Sequence, residues 1–244
     1  MNTIKINKQT FNVLSKYTYI KRNYGSKMKG TSDAFSDTDT LYILHNSLSW
    51  LASVYNTDHI LLYKDVDGND HMLVSLHCFL KSLVTGSSTL FHDMVRRRVF
   101  KGTIIRNLQA CDFSHYPVLK GYLGMAYNDA KSARGLYNNR DEAYKKLSFA
   151  VDEYNYVAEI LGEEPIKLFD NFDQTVSIIV DKIAILRKQV VQMMKDGRVP
   201  KMVSKEILTL ISDITWAVDA AFDDYVCDYD TGLKYFEELY LSGN

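Results

Sequence analysis

Along the first third of the chain, apolar and polar positions change over in short runs, and from about residue 75 they recur every three or four residues. Asn7 to Ser15 predicts a short helix, and Tyr17 to Tyr24 (YTYIKRNY) is rich in the aromatic and β-branched residues that suit a strand. Gly25 to Asp33 combines two glycines with small polar residues and predicts a loop. A second strand is expected over Asp37 to Leu44, a helix over Ser47 to Tyr55 and an extended segment over Ile60 to Tyr63. Asp67-Gly68 is a turn signal, after which Asp70 to Val74 returns as a strand. Leu76, Phe79, Leu80 and Leu83 then mark an amphipathic helix that Gly86 stops.

Beyond about residue 110 the pattern is helical almost throughout. Val118, Tyr122, Ala126 and Ala130 form one stripe; Tyr144, Leu147, Val151, Tyr154 and Ala158 form the next. Val176, Ile179, Ile183, Leu186 and Val190 form a third, ended by Gly197 and Pro200. Ile207, Leu210, Ile214, Val218 and Ala221 form a fourth, with Ser204 as its expected N-cap. The expected fold class is α/β: a small mixed-sheet core over 1–110, followed by an all-helical C-terminal domain over 111–244.

Composition adds little to this picture, but charge does. With 46% hydrophobic residues, 244 positions can bury a sizeable core without staples. Cys78, Cys111 and Cys227 lie far apart, with neither a disulfide framework nor a zinc spacing, so a reducing compartment is expected. No segment stays apolar long enough to cross a bilayer and no leader pattern opens the chain, so the expected location is the cytoplasm, away from membranes. The net charge of -1 divides unevenly: residues 1–150 hold 20 Lys+Arg against 12 Asp+Glu, and residues 151–244 hold 9 against 18. A basic first part suits a polyanion such as a triphosphate or RNA, and solvated surfaces of differing charge account for it equally.

Candidate chemistry sits where Gly25-Ser26 is followed, eleven residues after Ser26, by Asp37-Thr38-Asp39 at the start of an apolar strand. Residues two apart on a strand share a face, so Asp37 and Asp39 would present paired carboxylates. Such a pair needs a cation, and Mg²⁺ takes hard oxygen ligands from one or two carboxylates together with substrate phosphates. Gly25 admits a phosphate close to the backbone, while the Ser26 hydroxyl and neighbouring N–H groups donate to its oxygens. The bland alternative is a pair of surface turns and a helix cap; the coincidence of both halves at strand ends favours function.

Tyr24-Gly25-Ser26-Lys27-Met28-Lys29-Gly30-Thr31, followed by Ser36-Asp37-Thr38-Asp39, resembles the signature of the DNA polymerase β nucleotidyltransferase superfamily. More narrowly, the chain is similar to the predicted nucleotidyltransferases of bacteria and phages assigned to an RNA-repair pathway. Asp70-His71-Met72-Leu73-Val74-Ser75-Leu76-His77-Cys78-Phe79-Leu80 matches the strand and Ser-Leu-x-x-Phe-Leu helix of that group. The likeness covers about residues 17 to 90 and fades across the helical part, where Lys120-Gly121-Tyr122 is the best echo.

The resemblance implies Gly25 and Ser26, with Lys27 and Gly30 in the same loop, as the nucleotide-binding residues, and Asp37 and Asp39 as metal ligands and catalytic carboxylates. Asp70, opening the strand expected beside Asp39, is the candidate third carboxylate, in competition with Asp58, Asp65 and Asp67; Asp65 and Asp67 suit a turn. The implied activity moves a nucleotidyl group from a nucleoside triphosphate to an acceptor hydroxyl on RNA, protein or a small molecule, with Mg²⁺ or Mn²⁺. Met72 stands where many relatives carry a second acidic residue. The alternative is therefore a nucleotidyltransferase-like pseudoenzyme acting as a binding or inhibitory module for a macromolecular partner.

Other features read more plainly. Arg96-Arg97-Arg98 with Lys101 and Arg106 suits a polyanion, but a solvated helix face explains it better. Tyr122, Tyr144 and Tyr154 lie on helical stripes and are expected in the core, His71 and His77 have no metal spacing, and nothing in the spacing of Lys120 and Lys131 directs them to phosphates.

Overall fold

The structure is a computed structural model that describes residues 2–25, 38–45, 59–136, 138–168 and 171–223. Ser26, Lys27, Gly30, Asp37 and Asp58 lie outside the described residues, as does the helix expected over Ser47 to Tyr55. The chain divides into two compact units: described residues 2–81, 94–110 and 206–223 in one, 82–93 and 111–205 in the other. Residues 82–93 group with the helical part, and residues 206–223 with the sheet-bearing part.

In the first unit, β1 (Asn2–Lys5), β2 (Thr18–Asn23), β3 (Thr40–Leu44), β4 (His59–Lys64) and β5 (Asp70–Ser75) form a mixed sheet in the order β1-β4-β5-β3-β2. β1 runs parallel to β4 and β3 parallel to β5, while the β4/β5 and β2/β3 pairs are antiparallel. All five residues of β3 are buried, as a central strand requires. Helix α1 (Lys8–Leu14) is capped by Asn7, whose side chain accepts the Thr10 N–H at 2.8 Å. Leu14 packs against Tyr42, Leu44, Leu61 and Leu73, and the Phe11 ring stacks on Tyr63 at 4.8 Å. Ser75 ends β5 and its hydroxyl accepts the Cys78 N–H at 3.0 Å, turning the chain into α2 (Leu76–Thr85). Leu76, Phe79, Leu80 and Leu83 are all buried there, as their spacing predicts.

The second unit is helical. It holds part of α3 (Thr89–Arg96), then α4 (Tyr116–Gly135), α5 (Arg140–Leu161) and α6 (Phe172–Lys195), with α4 packed on both α5 and α6. Asn139 and Asn171 cap α5 and α6 by accepting N–H bonds from Glu142 and Gln174, and Gly162 in left-handed conformation closes α5. The predicted stripes supply the core, except that Tyr144 lies at the border of exposure. On α7 (Lys205–Asp223), Ile207, Ile214 and Val218 are buried and Leu210 is half-buried. At residue 86 a loop meets α4 backbone to backbone. A side chain at Gly121 would run into the Gly86 carbonyl oxygen, and one at Gly86 would come within 2.5 Å of the Pro117 carbonyl oxygen. Among the described residues no helix is long and apolar enough to cross a membrane.

Candidate functional site

Strand pairing assembles the site from four neighbouring strands. Asn23 at the end of β2 faces Thr40 at the start of β3, Thr40 faces His71 of β5, and Lys64 at the end of β4 faces Asp70. One step beyond these registers Asp39 stands between Asp70 and Tyr24, so Lys64, Asp70, Asp39 and Tyr24 form a row across the sheet end, with Gly25 next along the chain. Asp39 precedes β3 and does not lie within it, and Asp37, its expected partner in a strand alternation, lies outside the described residues.

Backbone contacts hold this row together. The Tyr24 N–H donates to the Asp39 carbonyl at 3.0 Å, and the Asp70 N–H donates to Asp39 Oδ1 at 3.2 Å. Gly25 has φ +72°, and a Cβ there would stand 2.6 Å from Asp39 Oδ2. Glycine is required on both counts, since other residues resist that conformation and the carboxylate occupies the space. Asp39 and Asp70 are both half-buried, with the Lys64 ammonium 3.8 Å from Asp70 Oδ1. The Tyr24 hydroxyl feels this pair: burial first, then the charges of Asp39 and Asp70, push its pKa well above the usual phenol value.

A second layer braces the same strand ends. Asp65 accepts the N–H groups of Asp67 and Asn69, the Asn69 side-chain amide at 2.9 Å and His71 Nε2 at 3.0 Å. Asn69 Oδ1 accepts the Thr38 N–H at 2.7 Å, so the β4/β5 turn grips the chain next to Asp39. Hydrogen bonds from the Asn69 side chain first, and then from His71, hold the Asp65 carboxyl below the usual carboxylate range. His71 Nδ1 lies 3.3 Å from the Tyr42 hydroxyl, and its ring packs among Phe11, Tyr42 and Tyr63. Asp65 and Asp67 thus serve the turn and do not join Asp39, whereas Asp70 does. His71 has a structural position, as its spacing suggests.

Chemically, the Asp39 carboxylate stands beside a bare glycine backbone and accepts the N–H of Asp70, whose own carboxylate has the Lys64 ammonium in reach. The donors are all hard oxygens, the set Mg²⁺ or Mn²⁺ accepts. Among the described residues no group of three His, Cys, Asp or Glu side chains gathers to hold a metal. Met72, opposite Leu41, brings no second acid. Sequence reasoning passed over Lys64, although counting back from the Asp67-Gly68 turn pairs it with Asp70. The arginine cluster is not a helix face: Arg96 ends α3, and Arg98 sits in a turn with φ 58°. Lys120 and Lys131 belong to the other unit.

Neither a family model nor a curated protein matches the chain. Among solved structures it is similar to a nucleotidyltransferase-like protein from Exiguobacterium sibiricum 255-15, at 9% identity and a TM-score of 0.26 over 88% of this chain and 73% of that one.

Proposed function

We propose that the protein transfers a nucleotidyl group from a nucleoside triphosphate to an acceptor hydroxyl. The observation that carries this reading is the contact of Gly25, bare and in left-handed conformation, with an Asp39 carboxylate tied to the strand end that bears Asp70. Asp39 and Asp70, with Asp37, are the residues that would hold Mg²⁺ or Mn²⁺. When bound, such an ion neutralises negative charge growing at the α-phosphate. Gly25 lets the loop backbone come close to the Asp39 carboxylate, with Ser26, Lys27 and Gly30 of the same loop as the donors to the phosphates. The acceptor oxygen bonds to the α-phosphorus as the bond to the departing pyrophosphate breaks, and Asp70 takes the hydroxyl proton.

Asp39→Asn keeps an oxygen that can accept the Asp70 N–H while removing the charge, so it is the cleanest variant. Incubation with labelled nucleoside triphosphates and RNA, protein or small-molecule acceptors, read by mass spectrometry, should show transfer that falls at least 100-fold in Asp39→Asn. Equal turnover in the variant sinks the proposal.

The Lys64–Asp70 ion pair and the uncharged Met72 favour a second reading, a nucleotidyltransferase-like binding or inhibitory module. Calorimetry separates the two. Binding of a nucleoside triphosphate that requires the divalent ion supports transfer, and no binding of any of them by the folded protein supports the module.

A further inference from the structure

Helix α4 carries two interior glycines three residues apart, and packing explains only Gly121, which lies against the residue 86 backbone. At Gly124 an added Cβ would meet no atom within 4 Å. Glycine weakens a helix interior relative to alanine, so a glycine facing open space has no local structural reason. What it faces is a cavity of about 340 Å³ between α4 and α6.

The cavity has two chemically distinct parts. Leu123 and Val190 are buried and Val191 is half-buried, which makes an apolar floor. Lys120 and Arg187 are the charged lining residues, both exposed, and among the described residues no acidic side chain lines the cavity. Their cationic groups are already positioned. Arg187 donates from Nη2 to the Leu123 carbonyl at 3.1 Å with its guanidinium 5.0 Å from the Tyr127 ring centre, and the Lys120 ammonium stands 5.9 Å from that of Tyr116. A guanidinium fixed through one nitrogen keeps N–H groups on the others for an anion.

The geometry points to a binding site for a small organic anion, one whose carboxylate, phosphate or sulfonate meets Lys120 and Arg187 while a ring or short chain covers Leu123, Val190 and Val191. The volume falls at the lower end of small-molecule pockets, typically about 300–1,000 Å³, which suits a body of one or two rings. A bare inorganic anion would leave the floor wet, and a neutral hydrocarbon would leave both cations unpaired. Gly124 then has a purpose, because any larger side chain fills the space the ligand body needs. The lining residues all belong to the helical unit.

Anilinonaphthalene sulfonate, an aryl anion, is a direct probe for the intact chain. One equivalent should bind and shift the methyl NMR signals of Leu123, Val190 and Val191. Gly124→Leu and the double variant Lys120→Met/Arg187→Met should each weaken binding at least tenfold, and neutral N-phenylnaphthylamine should bind the unaltered protein at least tenfold more weakly. Methyl signals unmoved at saturation in the unaltered protein overturn the site without recourse to any variant. So does Gly124→Leu binding within twofold, or the neutral compound binding as tightly as the sulfonate.

Discussion

At Gly25 one missing side chain leaves the space that the Asp39 carboxylate fills. Alanine there must hold φ near +72° and displace Asp39 Oδ2, which an added Cβ would approach to 2.6 Å. Backbone strain of this kind costs about 1–3 kcal/mol. Gly25→Ala should therefore lower the urea midpoint by a corresponding amount and, under the proposed function, abolish transfer; an unchanged midpoint contradicts the geometry. At this scale the sequence was legible where chemistry is local: Gly25 and Asp39 belong to a compact motif, and Asp70 follows once two strands are seen to be neighbours. Asp65 was harder to see, because its work depends on where the Asn69 amide and the His71 ring arrive around the turn. Residue types alone do not give those directions.

Among the elements, α4 offers a paired test within a single helix. Gly121→Ala drives a methyl group into the Gly86 carbonyl, and overpacking of this sort costs about 1–3 kcal/mol. Gly124→Ala meets nothing and gains helix propensity, up to about 1 kcal/mol. Thermal unfolding of the two variants should move in opposite directions, and shifts of the same sign refute the assignment. The long helices were predicted from their stripes because many periods repeat the same signal, whereas β1 was missed. It has four residues, and its pairing partner is β4, so nothing nearby in the chain announces it. The 3-10 stretch Ile104–Ala110 is too short to show a period, whereas α3 does carry one, in Leu90, Phe91, Met94 and Val95, and was overlooked.

For the whole molecule the sharpest expectation concerns acid. His92 in the helical unit is 4% exposed, and burial above all lowers its pKa from 6.5 to about 4, with the charge of His115 adding to the effect. The unfolded chain then binds more protons than the folded one between these values, so stability falls as pH drops from about 6.5 toward 4, by up to about 3 kcal/mol. Asp65 acts in another window: its carboxyl is held low, so its contribution is present above about pH 4 and is lost only below it. Urea midpoints at pH 7 and pH 5 should differ, and His92→Gln should flatten the difference; a flat profile in the unaltered protein refutes the buried neutral imidazole. The sheet order has a consequence for biosynthesis. Residue 2 pairs with residue 59, so β1 waits for β4 to leave the ribosome before the two can pair, and Arg22 on β2 waits longer still for the carbonyls of Val99 and Lys101. Loop closure of that length delays assembly more than it weakens the finished sheet. A stalled nascent chain ending near residue 50 should therefore remain protease-sensitive at β1, and one extending well past residue 101 should not.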